Sequence, residues 1–283
     1  MWYNKPYSLI LYVFYEMERE NALDKRRIIY YRDELNEEFS TARITARTID
    51  GNYQYDHTSA WKKITHFFWY RIIATPIAFF YTKIVFRHKV VGRKKFKAVR
   101  DQGYFLYGNH TQDIGDAFMP HLMNFPKNNS TIVHPNNVSM PYLGRITPSL
   151  GAIPLPDDRV AYRNFLHCVD YRIQRKDCIV IYPEAHIWPF YTKIRPFSDT
   201  SFHYPVKLDA PVFCFTNTYQ KRKCSQKPRI VTYIDGPFYP NKELPIKEQK
   251  KDLRDRVYAC MVERAKASEV EWIRYVKQEE YNG

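Results

Sequence analysis

Two short stretches of this sequence carry residues that could do chemistry. The first is YGNHTQDIGD, in which His110 follows an apolar run and Asp113 and Asp116 come soon after it. A histidine whose ring N–H is held by a carboxylate is the general-base half of a Ser-His-Asp system. Because no serine completes the set here, the substrate would bring the nucleophile as a hydroxyl group. The alternative is structural: His110 ends a strand and Asp116 caps a helix.

The second stretch is IVIYPEAHIWP, in which Tyr182, Pro183 and Glu184 follow another apolar run. Both apolar runs are typical of buried strands. In open α/β folds, chemistry takes place just beyond the carboxyl ends of the strands. His110 and Glu184 are each placed at such a strand end.

The elements that must position these residues alternate between strands and helices. Strands are predicted at 88–92, 103–109, 130–134, 178–183, 211–219 and 229–236, and helices at 116–124, 158–176 and 246–267. The last helix has an apolar stripe that consists of Ile246, Leu253, Val257, Cys260 and Met261. The near-continuous apolar runs CIVIYP and PVFCF indicate strands buried on both faces. The predicted fold class is therefore α/β, with a mainly parallel central sheet flanked by helices.

The first 87 residues have a different character. Residues 7–40 alternate apolar and charged positions at helical spacing, which predicts one or two amphipathic helices, and residues 41–60 read as a polar loop. Residues 61–87 are aromatic and flanked by basic residues, which predicts a helical pair at a membrane interface, interrupted at Pro76. The alternative is a hydrophobic helix packed on the protein's own core. The predicted organisation is an extension at 1–60, an interface segment at 61–87 and an α/β domain at 88–283.

The charge is strongly basic, at +14 over 283 residues, and the basic excess lies after residue 60, because residues 1–60 carry a net charge of −2. Such a balance suits an anionic partner such as lipid headgroups, nucleic acid or a phosphate-bearing substrate. A nucleic-acid partner is disfavoured, because the aromatic residues fall in apolar runs and no binding motif is present. The five cysteines form no CxxC pair and the histidines form no HxxxH pair, so neither a disulfide framework nor a metal site is predicted.

The order of these motifs resembles the 1-acyl-glycerol-3-phosphate (lysophospholipid) acyltransferase family, as a divergent member of bacterial type. The matching features are Asn109-His110 with a following aspartate, and the aromatic-Pro-Glu at Tyr182 to Glu184. Two further blocks agree in order: LGAIPLPDDR, which contains Gly151 and Arg159, and LDAPVFCFTNTY. The resemblance runs from about residue 88 to residue 240.

The resemblance implies an enzyme that moves a fatty acyl group from acyl-CoA or acyl carrier protein to a lysophospholipid hydroxyl. It implies no metal and no cofactor besides that acyl thioester, and an enzyme at the cytoplasmic face of a membrane, peripheral or monotopic. His110 would be the base, with Asp116 or Asp113 as its partner. The residues implied in substrate binding are Asn109, Gly151, Arg159, Glu184, His186, Lys193 and Arg195.

The sequence departs from the family pattern in two places. The family places four residues between its histidine and aspartate, whereas five lie between His110 and Asp116. Either a one-residue bulge eased by Gly115 restores Asp116 to its role, or Asp113 replaces it. The family's phosphate-binding arginine after the Pro-Glu is also missing, so His186, Lys193 or Arg195 would compensate, or the acceptor carries no phosphate monoester. A lipid-binding protein without catalysis is the further alternative. The sequence predicts no particular oligomeric state.

Overall fold

A seven-stranded sheet forms the centre of the computed structural model, which describes residues 28–39, 44–55, 59–223 and 225–278. Its strand order is β2-β8-β7-β3-β6-β4-β5, and β1 and β9 form a separate parallel pair. The strands are β1 Ile28–Tyr31, β2 Lys89–Val91, β3 Tyr104–Gly108, β4 Asn129–Val133, β5 Ala152–Pro154, β6 Cys178–Ile181, β7 Val212–Arg222, β8 Ser225–Phe238 and β9 Arg274–Lys277.

The large sheet is mainly parallel, as predicted. Every neighbouring pair in it runs parallel except β7 and β8, which are antiparallel. All residues of β3 and β6 are buried, because helices and loops cover both faces of these central strands. Because β3, β6, β4 and β5 are parallel, their carboxyl ends lie at the same edge of the sheet. All six predicted strands are present.

Six α-helices accompany the sheet in the described part of the chain. They are α1 Ala60–Phe67, α2 Thr75–Phe79, α3 Gly115–Asn124, α4 Arg159–Gln174, α5 His203–Leu208 and α6 Ile246–Ala265. Short 3₁₀ helices lie at 93–99, 135–138, 143–145, 147–150 and 200–202. The predicted fold class, α/β with a mainly parallel sheet flanked by helices, is confirmed.

The stripe predicted on α6 is only partly in the core. Leu253, Val257 and Met261 are buried against the sheet, and Cys260 is partly buried beside them. Ile246 is 74% exposed, contrary to the prediction. It is the first residue of the helix and follows Pro245, so it lies before the part of α6 that reaches the sheet.

The segment after residue 59 is a continuous helical run and not an interrupted pair. Between α1 and α2 the residues Phe68–Ala74 are π-helical, and Phe80–Val85 continue as a π-helix after α2. Pro76 lies two residues after the π-helical residues Phe68–Ala74, and the helical run continues through it to Val85. We call residues 60–85 the apolar helix.

The apolar helix has two unlike faces. Tyr70, Ala74, Ala78 and Tyr81 are buried, and Tyr70 packs its ring against His121 of α3 at 4.3 Å. The opposite face exposes Trp61, Ile64, Phe67, Phe68, Ile72, Phe79, Phe80 and Ile84. Among the described residues, no helix has the length and apolar character needed to cross a membrane.

The described part of the predicted N-terminal helical region contains a strand instead. Residues 28–31, IIYY, pair in parallel with β9, and residues 34–36 form a turn, so the helix predicted there is wrong. β-branched and aromatic residues favour a strand once a partner is present, and β9 supplies it from the far end of the chain. Residues 1–27 lie outside the described residues. The three-part division of the chain stays a prediction; Ile49 and Tyr55 of the predicted extension lie in the core of the α/β domain.

Candidate active site

The end of β3 is fastened to the neighbouring strand β7 by Asn109. Its side-chain Nδ2 donates to the Asn217 carbonyl oxygen at 3.1 Å, and its Oδ1 accepts from the Asn217 N–H at 2.8 Å. This paired contact uses the Asn109 amide within the protein. The next residue, His110, therefore leaves the sheet at a defined point of its carboxyl edge.

His110 and Asp116 form a close pair at this edge. The His110 Nδ1 lies 2.8 Å from Asp116 Oδ2, and the exposed fractions of the two side chains are 17% and 1%. The same Asp116 oxygen accepts the backbone N–H groups of Thr111 and Gln112, both at 2.9 Å. Oδ2 of Asp116 is thus bonded by three donors. Because Nδ1 of His110 faces the carboxylate, Nε2 is the ring nitrogen that is left for a substrate.

The longer spacing between histidine and aspartate is absorbed by a loop closed around the carboxylate. A Cβ at Gly115 would lie 2.8 Å from Gln112 Cβ, so glycine allows the loop to pack on the start of α3. Asp116 is the second residue of that helix. Of the two candidate partners, Asp116 bonds the ring in this structure, while Asp113 is partly buried in the connecting loop.

Tyr182 completes the surroundings of the His110 ring. The two rings stack with their centroids 4.3 Å apart, and the Tyr182 hydroxyl donates to the Asp116 carbonyl oxygen at 2.6 Å. Burial, with a smaller contribution from the Asp116 charge, raises the pKa of Tyr182 well above its ordinary value, so the phenol stays protonated as a donor. Burial also raises the pKa of Asp116, and the bonds from His110, Gln112 and Thr111 oppose that rise.

Glu184 supports the histidine from the backbone side. Its Oε2 accepts the His110 N–H at 3.0 Å, and its Oε1 accepts the Arg195 N–H at 3.0 Å. Burial raises the pKa of Glu184, while the Arg195 guanidinium, 3.7 Å from Oε2, opposes this rise. Glu184 therefore ties the loop that carries His110 to the segment that carries Arg195.

The sequence offers Arg195 as a residue that could bind the phosphate of the acceptor, but the structure shows its side chain bonded within the protein. Its side chain is 1% exposed, and its guanidinium bonds the carbonyl oxygens of Glu184, His186 and Glu34. It also lies over the Trp188 ring at 4.9 Å. A guanidinium so occupied has few donors left for a ligand, and burial lowers its pKa. The structure therefore gives Arg195 a structural place.

His186 and Lys193 lie at or near the protein surface in the segment after β6 that also carries Glu184 and Arg195. The His186 Nδ1 is 3.2 Å from Glu38 Oε2, so the ring is neither buried nor free of a carboxylate partner. Lys193 is exposed. Their predicted roles in substrate binding stay predictions.

The two residues of the LGAIPLPDDR block lie apart from His110. Gly151 precedes β5 at the opposite end of the sheet, where its φ of 93° and a Cβ position 2.4 Å from the Asn129 carbonyl oxygen account for glycine. Arg159 is exposed at the start of α4, beyond β5, which is the third strand from β3. The structure does not bring either residue to the histidine.

The arrangement can take up and return a proton at Nε2 of His110, whose side chain is partly buried. A neutral imidazole has one N–H and one acceptor nitrogen, so donation from Nδ1 to Asp116 makes Nε2 the acceptor. The bond to the carboxylate would stabilise the imidazolium formed when Nε2 takes a proton. Within the described ranges, no cluster of histidine, cysteine and acidic side chains could hold a metal ion.

The fold resembles that of a solved acyltransferase. The crystal structure of the 1-acyl-sn-glycerophosphate (LPA) acyltransferase PlsC from Thermotoga maritima matches with a TM-score of 0.52, at 18% sequence identity. The match covers 76% of this chain and 86% of that chain. No protein-family model and no curated protein matches the sequence. At this identity the likeness shows a common fold, which is the α/β fold predicted from the sequence.

Proposed function

We propose that this protein is an acyltransferase that moves a fatty acyl group from an acyl thioester to a lysophospholipid hydroxyl. The observation that carries the proposal is the His110–Asp116 pair, 2.8 Å apart, at the carboxyl edge of the sheet. A fold shared with an acyltransferase supports it. The thioester of acyl-CoA or acyl carrier protein is a co-substrate, and the reaction as proposed requires no cofactor.

In the proposed mechanism His110 transfers one proton in two steps. Nε2 removes the proton of the acceptor hydroxyl as its oxygen attacks the thioester carbonyl carbon, and a tetrahedral oxyanion forms. The oxyanion collapses, the carbon–sulfur bond breaks, and the thiolate takes the proton from Nε2. Asp116 stabilises the imidazolium between these steps and keeps the ring in one tautomer.

The acceptor proposed first is 1-acyl-glycerol-3-phosphate, because the protein is strongly basic and its motif order resembles the family that uses this acceptor. A second acceptor class, lysophospholipids without a phosphate monoester, is favoured by one observation. The guanidinium of Arg195 is bound to carbonyl oxygens within the protein, so it does not replace the missing phosphate-binding arginine.

We also propose that the exposed face of the apolar helix lies in a membrane interface, at the cytoplasmic side. Eight large apolar side chains share this face, and such a patch marks an interaction surface. The buried face of the same helix packs on α3, the helix that carries Asp116. A lipid acceptor bound at this face would therefore meet the protein near the element that positions His110.

The decisive experiment for the reaction is an acyl-transfer assay with three proteins. Wild type, His110→Ala and His167→Ala are incubated with labelled acyl thioesters and a panel of lysophospholipids. His167→Ala removes an exposed histidine of α4 and is expected to leave transfer unchanged. His110→Ala is expected to lower turnover by about 100-fold or more, the usual size of a general-base contribution.

Each outcome of this assay bears on the proposal. Product that depends on His110 supports it, and the preferred acceptor distinguishes the two acceptor classes. No product from the wild type with any donor and acceptor would favour a lipid-binding protein of the same fold. Normal turnover in His110→Ala would remove His110 from the mechanism.

The membrane proposal is tested by sedimentation with anionic vesicles. Phe67→Ser with Phe80→Ser removes two exposed rings from the apolar helix, and Ile246→Ser removes an exposed apolar side chain of α6 as a control. Since complete burial of a phenylalanine is worth about 1.5–3 kcal/mol, the double variant is expected to bind at least about 10-fold more weakly. Equal binding of all three proteins would contradict the proposal.

A further inference from the structure

A chain of buried polar side chains leads from Asp116 across the sheet. The Asn217 Nδ2 lies 3.4 Å from Asp116 Oδ1, and the Thr232 Oγ1 lies 2.6 Å from Asn217 Oδ1. The His88 Nε2 then lies 2.7 Å from Thr232 Oγ1. We call Asn217, Thr232 and His88 the polar relay.

The strand order brings these residues into line. Asn217 of β7 is directly opposite Thr232 of β8, and Thr232 is opposite Val90 of β2, two residues after His88. Because β2, β8 and β7 are consecutive neighbours, the relay crosses about 10 Å of sheet at a strand spacing of about 4.8 Å. All three side chains are at most 3% exposed, so water does not substitute for their mutual hydrogen bonds.

Each hydrogen bond of the polar relay fixes the direction of the next. Burial lowers the pKa of His88 to about 3, so its ring is neutral near pH 7 and has a single N–H. No partner for Nδ1 is present in the described chain, so the proton lies on Nε2, where it bonds Thr232 Oγ1. The Thr232 hydroxyl hydrogen is then directed to Asn217 Oδ1. This leaves the Asn217 NH₂ group to face Asp116.

We propose that Asn217, Thr232 and His88 are positioning residues that orient the carboxylate of Asp116, and through it the ring of His110. This inference rests on the acyl transfer proposed above. If the Asn217 amide turned over, its carbonyl oxygen would face the Asp116 carboxylate and the two acceptors would repel each other. Asp116 would then rotate, and its bond to His110 Nδ1 would weaken.

The test replaces the hydroxyl that sets the direction of the amide. Thr232→Val keeps the size of the side chain but can neither accept from His88 nor donate to Asn217, whereas Thr232→Ser keeps both capacities. Thr216→Val is the matched control, since Thr216 is fully buried on β7 and its hydroxyl has no bond in the described chain. Thermal unfolding of each variant checks that it folds.

In steady-state transfer, Thr232→Val is expected to lower kcat about 10-fold with KM changed less than about twofold, the loss of one directing hydrogen bond. Thr232→Ser and Thr216→Val are expected to stay within about threefold of the wild type. Equal kcat in Thr232→Val and the wild type would overturn the proposal. A serine variant as impaired as the valine variant would show a purely structural role and would also overturn it.

A second readout does not depend on activity. In ¹⁵N spectra of histidine-labelled protein, with the His110 signals assigned by their loss in His110→Gln, the wild type is expected to carry the ring proton on Nδ1. Thr232→Val is expected to raise the Nε2–H population, and an unchanged tautomer would refute the relay. If the wild type transfers no acyl group, the proposed function fails while this spectrum still decides the relay. If Thr232→Val does not fold, His88→Phe replaces it and His88→Gln, which keeps an N–H donor, replaces the serine variant.

Discussion

Glu184→Gln tests whether a buried carboxylate holds the active-site loop together. In the wild type, Glu184 accepts the backbone N–H groups of His110 and Arg195, both at 3.0 Å. It is also the acidic partner of the Arg195 guanidinium, at 3.7 Å. Glutamine has the same shape but a single acceptor oxygen and no charge, so it cannot replace all three interactions.

The expected loss follows from these contacts. One of the two backbone N–H groups would face the amide NH₂ group of glutamine, and a buried donor without a partner costs about 1–3 kcal/mol. The Arg195 side chain, 1% exposed, would also lose its charge partner. Breaking a buried ion pair from one side costs about 3–5 kcal/mol in all. Because the free energy of unfolding of a domain is about 5–15 kcal/mol, the variant is expected to fold but to lose a large share of its stability.

Urea unfolding measures this loss, and a double-mutant cycle assigns it. Arg195→Gln removes the other side of the pair, and the two substitutions are expected to couple by about 2 kcal/mol or more. Glu263→Gln is the control, since Glu263 is an exposed carboxylate paired with Lys266 on α6, and it is expected to cost less than about 0.5 kcal/mol.

Two results would refute the reasoning about Glu184. A loss below about 1 kcal/mol in Glu184→Gln would mean that the carboxylate is not held as an ionised acceptor of both N–H groups. A coupling energy near zero would mean that Arg195 is not its charge partner. Acyl transfer, measured in folded Glu184→Gln, is expected to fall as well, because the His110 backbone loses its anchor.

Two further changes are predicted from the packing and charges around the sheet. Gly108→Ala would place a Cβ 2.0 Å from Cζ of Phe215 and is expected to cost at least about 1–3 kcal/mol in urea unfolding; an unchanged midpoint would show that Phe215 moves freely. The second change concerns Asp235. Burial raises the pKa of this carboxyl group, but the bonds from Arg264 and Lys95 outweigh burial, so the pKa of Asp235 is lowered. The stability that Asp235 contributes is therefore present above the unfolded pKa, about 3.9, and is lost as the pH falls through the lower folded value. Asp235→Asn is expected to lower the free energy of unfolding by about 1–2 kcal/mol at pH 7, a value reduced because both cations are partly exposed. A loss of the same size at a pH below the folded pKa of Asp235 would contradict this expectation.

The sequence predicted correctly those features that depend on residues close to one another in the chain. His110 and Asp116 are separated by a single loop, and a strand end followed by a helix start places both candidate partners, Asp113 and Asp116, near His110. The central strands were predictable for the same reason, since burial on both faces leaves a local apolar signature. The pairing of Ile28–Tyr31 with β9 was not, because the partner lies at the other end of the chain.

The contacts that support the site could not be predicted from the sequence for a related reason. Asn217 and Thr232 read as ordinary polar positions in strands, and only the strand order places them in line with Asp116. Arg195 reads as a free cation near the site, and only its burial shows that it bonds carbonyl oxygens within the protein. Asn109, Tyr182 and Glu184 lie in the motifs that the sequence offers, but those motifs indicated neither the ring stacking of Tyr182 nor the backbone bonds of Asn109 and Glu184.

The unusual spacing between His110 and Asp116 follows from how the carboxylate is held. Two consecutive N–H groups, of Thr111 and Gln112, bond the same Asp116 oxygen that receives the His110 ring. The loop from His110 to Asp116 is therefore closed around the carboxylate of Asp116. The position of the aspartate is set by α3 and by Asn217 from the neighbouring strand. In this chain the bond between His110 and Asp116 is thus made across five intervening residues, and the absence of a side chain at Gly115 lets the loop close on Gln112.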